Sequence, residues 1–157
     1  MTSLRGRSHI KIDPKGRLSL PATFRSYFTN SKSVFITNGV FQGQPFLDLY
    51  AKADWNSLER TVAGWPTMKP EVQVFQRFYL SSAEACSIDG QGRILIPQHL
   101  REHAGLEEDV VLVGMGRKIE IWSEKAWRDH FSQMQSDYEK ATESLASLES
   151  AKKTGKK

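Results

Sequence analysis

One cysteine, Cys86, stands among 157 residues. An internal disulfide is therefore excluded, and the expected setting is a reducing one. No apolar run approaches the ~20 residues that a bilayer-spanning helix needs. Met1 to Arg7 also lacks the apolar stretch of a signal peptide. The expectation is a cytoplasmic protein with no membrane partner. GxxxxGK, paired cysteines and G-x-S-x-G are absent too, which removes the common phosphate-loop, zinc-ribbon and serine-hydrolase readings. Gly114-Met115-Gly116 lacks the third glycine and following helix of a dinucleotide loop, so it reads as a hairpin turn. No cofactor is expected.

One catalytic motif does occur. His99-Leu-Arg-Glu102-His103 matches H-x-x-E-H, with two histidines one helical turn apart and a glutamate between them. The helix carrying it would open at Pro97 and stop at Gly105, about two turns in all, and no third ligand follows on a well-defined helix. Exposed helix histidines are the expected reading, with no catalytic residues and no metal. Cys86 lies in an apolar strand with no histidine nearby and is expected to be a core thiol.

What the chain has instead is a repeated phrase. IDPKGRLSLPATFR spans residues 12–25 and IDGQGRILIPQHLR spans 88–101, an offset of 76. Ile, Asp, Gly, Arg, Pro and a final Arg recur in register, while Leu18, Leu20 and Phe24 become Ile94, Ile96 and Leu100. The likeness continues: FLDLYAKADW is matched by KIEIWSEKAW at an offset of 72, so the first half holds about four extra loop residues, placed near Phe41 to Pro45. Such self-similarity divides the chain into two alike halves, each too small to bury a large core alone.

Each phrase reads as strand, tight turn, strand, short helix. Asp13-Pro14-Lys15-Gly16 has the chemistry of a type I turn with a glycine bulge closing a hairpin, and Asp89-Gly90-Gln91-Gly92 is a looser version. Two β-rich runs, SVFITNG and DVVLVGMG, end in glycine turns. GWPTMKPEV, residues 64–72, is the candidate linker. A helix over about Val72 to Leu80 should follow, with Val74, Phe75 and Phe78 on one face. From Asp129 onward the chain reads as helix, with Tyr138, Ala141, Leu145 and Leu148 as a thin apolar stripe and Lys152, Lys153, Lys156 and Lys157 at its end.

Charge separates the halves. Residues 1–80 carry 11 Lys/Arg against 5 Asp/Glu, and residues 81–157 carry 11 against 13. Strand parity places Arg5, Arg7, His9, Lys11 and Asp13 on one face, extended by Arg17 and Ser19, with Lys15 at the turn. That ribbon suits phosphates and guanine edges in a major groove. The equivalent positions in the second half are Ala83, Ala85, Ser87 and Asp89, followed by Arg93, so most of the charge is gone and Gln91 replaces Lys15. The candidate DNA-binding residues are Arg17, Lys15, Arg93, Arg5, Arg7, Lys11 and Gln91. Asp13, Gly16, Asp89 and Gly92 are expected to hold the turns, because a carboxylate facing phosphate repels it.

The two phrases, with VFQRFYLSSA before the second, resemble the MraZ family of bacterial transcriptional regulators over about residues 5–130. The resemblance implies an α+β fold of two tandem AbrB-like swapped-hairpin halves, forming a pseudo-twofold β-barrel-like core with flanking helices. It divides the chain into a basic first repeat (5–63), a linker and connecting helix (64–80), a second repeat (81–130) and a helical, Lys-ended tail (131–157). It further implies a ring-like homo-oligomer, nucleoid-associated, that binds direct-repeat sites in double-stranded promoter DNA upstream of its own operon, a division and cell-wall gene cluster. The D-x-x-x-R motif of that family maps onto Asp13 to Arg17 and Asp89 to Arg93. An AbrB-like protein-interaction or antitoxin-like module is the alternative.

Overall fold

A computed structural model describes residues 3–154. The chain divides into a first unit ending at Glu124 and a second beginning at Lys125. The first half runs β1 (Arg7–Lys11), β2 (Arg17–Ser19), α1 (Ala22–Arg25) with a 3₁₀ turn over Ser26–Phe28, β3 (Ser33–Phe41), β4 (Gln44–Ala51) and α2 (Lys52–Ala63). A short helix α3 (Pro70–Phe75), continued by a π turn over Gln76–Leu80, leads to the second half. There β5 (Glu84–Ser87), β6 (Arg93–Leu95), α4 (Gln98–Ala104), β7 (Asp109–Gly114), β8 (Lys118–Ser123) and α5 (Glu124–Thr154) repeat the same order.

The strands pair across the halves. One antiparallel sheet has the order β1-β7-β8-β4-β3-β5, and a second contains only β2 and β6. The expected hairpins are therefore corrected. Each turn closes locally, with the Asp13 amide donating to the Arg17 carbonyl and the Asp89 amide to that of Arg93. Beyond the turn the arms part: β1 joins β7 and β2 joins β6, while β5 joins β3. The physical reason is core size. A lone hairpin buries too little to persist, whereas interleaving lets matched residues from both halves fill one interior. Leu18, Leu20 and Phe24 lie beside Ile94, Ile96 and Leu100 there, all 0–1% exposed. A barrel-like closure is not formed; the larger sheet is open, with β1 and β5 at its edges.

Two local expectations are also revised. The extra residues of the first half do not form a loop: they lengthen the β3–β4 hairpin, which pairs through Phe41 and Gln44. Gln42 and Gly43 both have positive φ, as a two-residue turn of the twisted hairpin type requires. The helix over 70–80 buries Val72 rather than Val74, which is exposed, and it turns Tyr79 inward instead of Phe78. Gly105, at φ 60°, ends α4 as expected, and Cys86 is buried, its thiol pushed up to about 11 by burial.

The opposite face of the larger sheet carries a polar network. Asp48, 2% exposed, accepts from the Tyr79 hydroxyl and has the Lys118 ammonium at 3.0 Å. Glu120 sits directly across from Asp48 and accepts from Trp122 Nε1 at 3.0 Å. Burial pushes both carboxyls up. Burial acts to lower Lys118, but the charge and hydrogen bond of Asp48 outweigh it and hold the ammonium protonated. In the second unit, α5 exposes Tyr138, Leu145 and Leu148. Lys156, Lys157 and the Lys153 side chain lie outside the described residues. Among the described residues, no helix is long and apolar enough to cross a membrane.

Candidate nucleic-acid interface

The two turns are built alike, from the aspartate outward. Asp13 Oδ1 accepts from the backbone amides of Lys15 (3.0 Å) and Arg17 (2.9 Å), and Oδ2 accepts from Arg17 Nε at 2.7 Å. Asp89 does the same with Gln91, Arg93 and Arg93 Nε, at 2.9, 2.9 and 2.8 Å. The Arg17 amide bond is the main cause holding the Asp13 carboxyl below its ordinary range, and the Arg93 amide acts likewise on Asp89. Each aspartate thus fixes both the turn and the direction in which its arginine leaves it. One guanidinium N–H is engaged in this way, out of the five such a group carries.

The β2–β6 ladder then brings the arginines together. Arg17 pairs with Leu95, Leu18 with Ile94 and Ser19 with Arg93. Cross-strand partners share a face and neighbours along a strand alternate. Leu18 and Ile94 are the buried pair, so Arg17, Ser19, Arg93 and Leu95 all point outward from one two-stranded ribbon. The separate basic and neutral ribbons read from the sequence are in fact a single ribbon with one arginine from each half. Lys15 and Gln91 occupy the two exposed turn tips.

The final arginine of each phrase, to which sequence reasoning gave no role, locks the two turns together. Arg25 donates to the Leu20 carbonyl at 2.9 Å and lies over Gly92. Arg101 donates to the Ile96 carbonyl at 2.9 Å and lies over Gly16. The Leu20 amide donates to the Gly92 carbonyl and the Ile96 amide to that of Gly16, at 2.9 and 3.0 Å. The in-register recurrence of that arginine was the available signal. It could not be interpreted without knowing that each helix caps the other copy's turn.

The remaining candidates lie elsewhere. Lys11 is held by Asp109 at 3.2 Å and Glu108 at 3.4 Å, and the Asp109 hydrogen bond raises its ammonium. Arg7 pairs with Val113 at the opposite end of β1, ~13 Å along the strand from Lys11. Arg5 lies beyond it, donating to Ser3 Oγ. Arg7, His9 and Lys11 do share an exposed face, as parity required. The two histidines of the H-x-x-E-H motif face different neighbours: His99 Nδ1 lies 3.2 Å from Glu84, and His103 Nε2 lies 3.0 Å from the Gly39 carbonyl. Among the described residues, no cluster of three or more metal-ligating side chains occurs.

Fold and site together define a tandem-repeat α+β protein whose distinctive surface is a paired D-x-x-x-R ribbon. The family model "MraZ protein, putative antitoxin-like" matches twice, over residues 4–78 and 79–148. The transcriptional regulator MraZ of Heliobacterium modesticaldum is 41% identical over 134 residues, covering 85% of this chain and 90% of that protein. The one from Desulfitobacterium hafniense strain Y51 is 41% identical over 137 residues, covering 87% and 92%. That of Caldanaerobacter subterraneus is 36% identical over 142 residues, covering 90% and 96%. The chain belongs to the MraZ family, whose named relatives are transcriptional regulators and not enzymes.

Proposed function

We propose that the protein is a sequence-specific DNA-binding transcriptional regulator that reads the major groove with the β2–β6 ribbon. The observation that carries this is the register Arg17–Leu95 and Ser19–Arg93, which sets both motif arginines outward on one strand pair. A two-stranded ribbon is a shape the major groove admits, and arginine is the commonest reader of guanine there. Asp13 and Asp89 serve as supports that aim the arginines, with Gly16 and Gly92 allowing the turns. Lys15 and Gln91 flank the reading face. Arg5, Arg7 and Lys11 are assigned to the periphery, because they follow β1 away from the ribbon.

The resemblance extends the proposal. AbrB-like swapped-hairpin halves, at 5–63 and 81–130, are supported by the crossed pairing of β1, β2, β5 and β6. A ring-like homo-oligomer would present several ribbons to direct-repeat sites upstream of its own operon, in the division and cell-wall cluster, and gain affinity by multivalency. Arg17→Ala should abolish binding to that upstream DNA while leaving circular dichroism and assembly unchanged. Unimpaired binding by this variant would overturn the ribbon assignment. The antitoxin-like reading draws on the exposed Tyr138, Leu145 and Leu148 of α5. Pull-downs against DNA fragments and against other proteins separate the two.

A further inference from the structure

The crossed architecture redistributes the charge that the sequence seemed to assign to each turn. The crevice beside the first turn is lined by Asp13 together with Arg101, Glu107 and Glu108, all three from the second half. The matching crevice beside the second turn is lined by Asp89 together with Arg25, Lys32 and the hydroxyl residues Ser26, Thr29 and Ser31, all from the first half. Arg25 and Arg101 are equivalent, each lying over the other half's turn glycine. The difference between the crevices therefore lies in their neighbours: Lys32 with the Ser26 and Ser31 hydroxyls at one, two glutamates at the other. The Thr29 hydroxyl donates to the Ser26 carbonyl, and Lys15 stands at the first turn's exposed tip, outside its crevice. Lys32 is tied to the second phrase by its backbone, since its carbonyl accepts from the Ile88 amide at 2.9 Å. Its side chain is exposed. At the first turn, Glu108 shares Lys11 with Asp109, which commits a nearby cation to acid rather than leaving it for an anion.

We infer that the crevice of Arg25, Lys32, Ser26 and Ser31 beside the second turn holds a phosphate of the DNA backbone, and that the crevice beside the first turn holds none. The inference rests on the ribbon being the DNA-reading surface. Ammonium, guanidinium and hydroxyl donors are the groups that bind backbone phosphates and fix register on a duplex. Glu107 and Glu108 would repel one. The two ends of the pseudo-symmetric ribbon thereby differ, so one protomer docks on a duplex in a single polarity. The half that looks neutral in sequence is the one whose turn is anchored.

The test uses the full chain and duplex DNA from immediately upstream of its own gene, with a random-sequence duplex alongside. Lys32→Gln removes an exposed charge and leaves the backbone bond to Ile88 in place. It should weaken binding to both duplexes by a similar factor and reduce the log–log salt slope by about 1. Glu107→Gln should leave the slope unchanged. Wild-type affinity and slope for Lys32→Gln would overturn the inference, as would an equal slope change for both variants. If the wild-type protein binds neither duplex, the ribbon reading itself fails. If it binds, and Arg17→Ala does not while Lys32→Gln is silent, only the phosphate site is lost.

Discussion

Asp13 and Asp89 show how much a single side chain sets at the turns. Each accepts two backbone amides and one guanidinium N–H, so its folded carboxyl is more acidic than in the unfolded chain. The sign comes from linkage. Their stabilising contribution is complete above the unfolded carboxylate value and is lost as pH falls through the lower folded one. Asp48 and Glu120 have the opposite sign: burial raises them, so their contribution is complete below the unfolded value and lost as pH rises through the folded one. An Asp13→Asn/Asp89→Asn double variant should therefore be less stable than wild type near neutrality and converge on it in acid, followed by urea unfolding at several pH values. A constant gap at every pH would contradict the turn role. Gly16 and Gly92 differ as well. Both have positive φ, but a Cβ on Gly16 would lie 2.6 Å from the Arg101 guanidinium carbon, while one on Gly92 would sit 3.4 Å from Arg25. Gly16→Ala should cost about 1–3 kcal/mol from the backbone conformation, and more than Gly92→Ala because Arg101 must also leave the Ile96 carbonyl. Equal losses in thermal unfolding would contradict that. That these aspartates and glycines stand at tight turns was legible in the sequence, since turn chemistry is local. The roles of Arg25 and Arg101 were not, because their partners lie in the other repeat.

Strand existence and facing were also legible among the elements, while strand partnership was not. Period-two alternation correctly put Arg17 and Ser19 on an outward face, which leaves Leu18 and Leu20 inside, and their counterparts Ile94 and Ile96 are buried with them. It says nothing about which neighbour completes the hydrogen bonds, and a tight turn favours the obvious hairpin. Core volume decided otherwise. The three-residue strands β2 and β6 form the base of the shared interior, with Leu18 and Ile94 fully buried as a cross-strand pair. Leu18→Ala should cost roughly 3 kcal/mol in urea unfolding, with a similar loss for Ile94→Ala. A loss below about 1 kcal/mol in either would mean the ribbon does not rest on a packed core. The π turn at 76–80 was illegible for a related reason. Its sequence has ordinary helical periodicity, and only the buried Asp48 and the half-buried Tyr50 explain why Tyr79 turns inward to meet them.

For the whole molecule, the repeat makes one scaffold from two copies and one outward ribbon face from two motifs. Net charge, at +4, is too small to carry binding by itself, so the proposed DNA affinity would come from placed cations and, in the proposed ring, from several protomers acting on tandem sites. Binding should accordingly fall steeply with salt and should be much weaker on a duplex bearing one site than on one bearing several. The most direct measurement is a titration of fluorescently labelled DNA from upstream of the gene with wild type, Arg17→Ala and Arg93→Ala, at one fixed salt concentration. The ribbon account predicts tight binding by wild type over random DNA, none by Arg17→Ala, and a marked loss for Arg93→Ala, with all three proteins folded. Undiminished, sequence-specific binding by Arg17→Ala would contradict it.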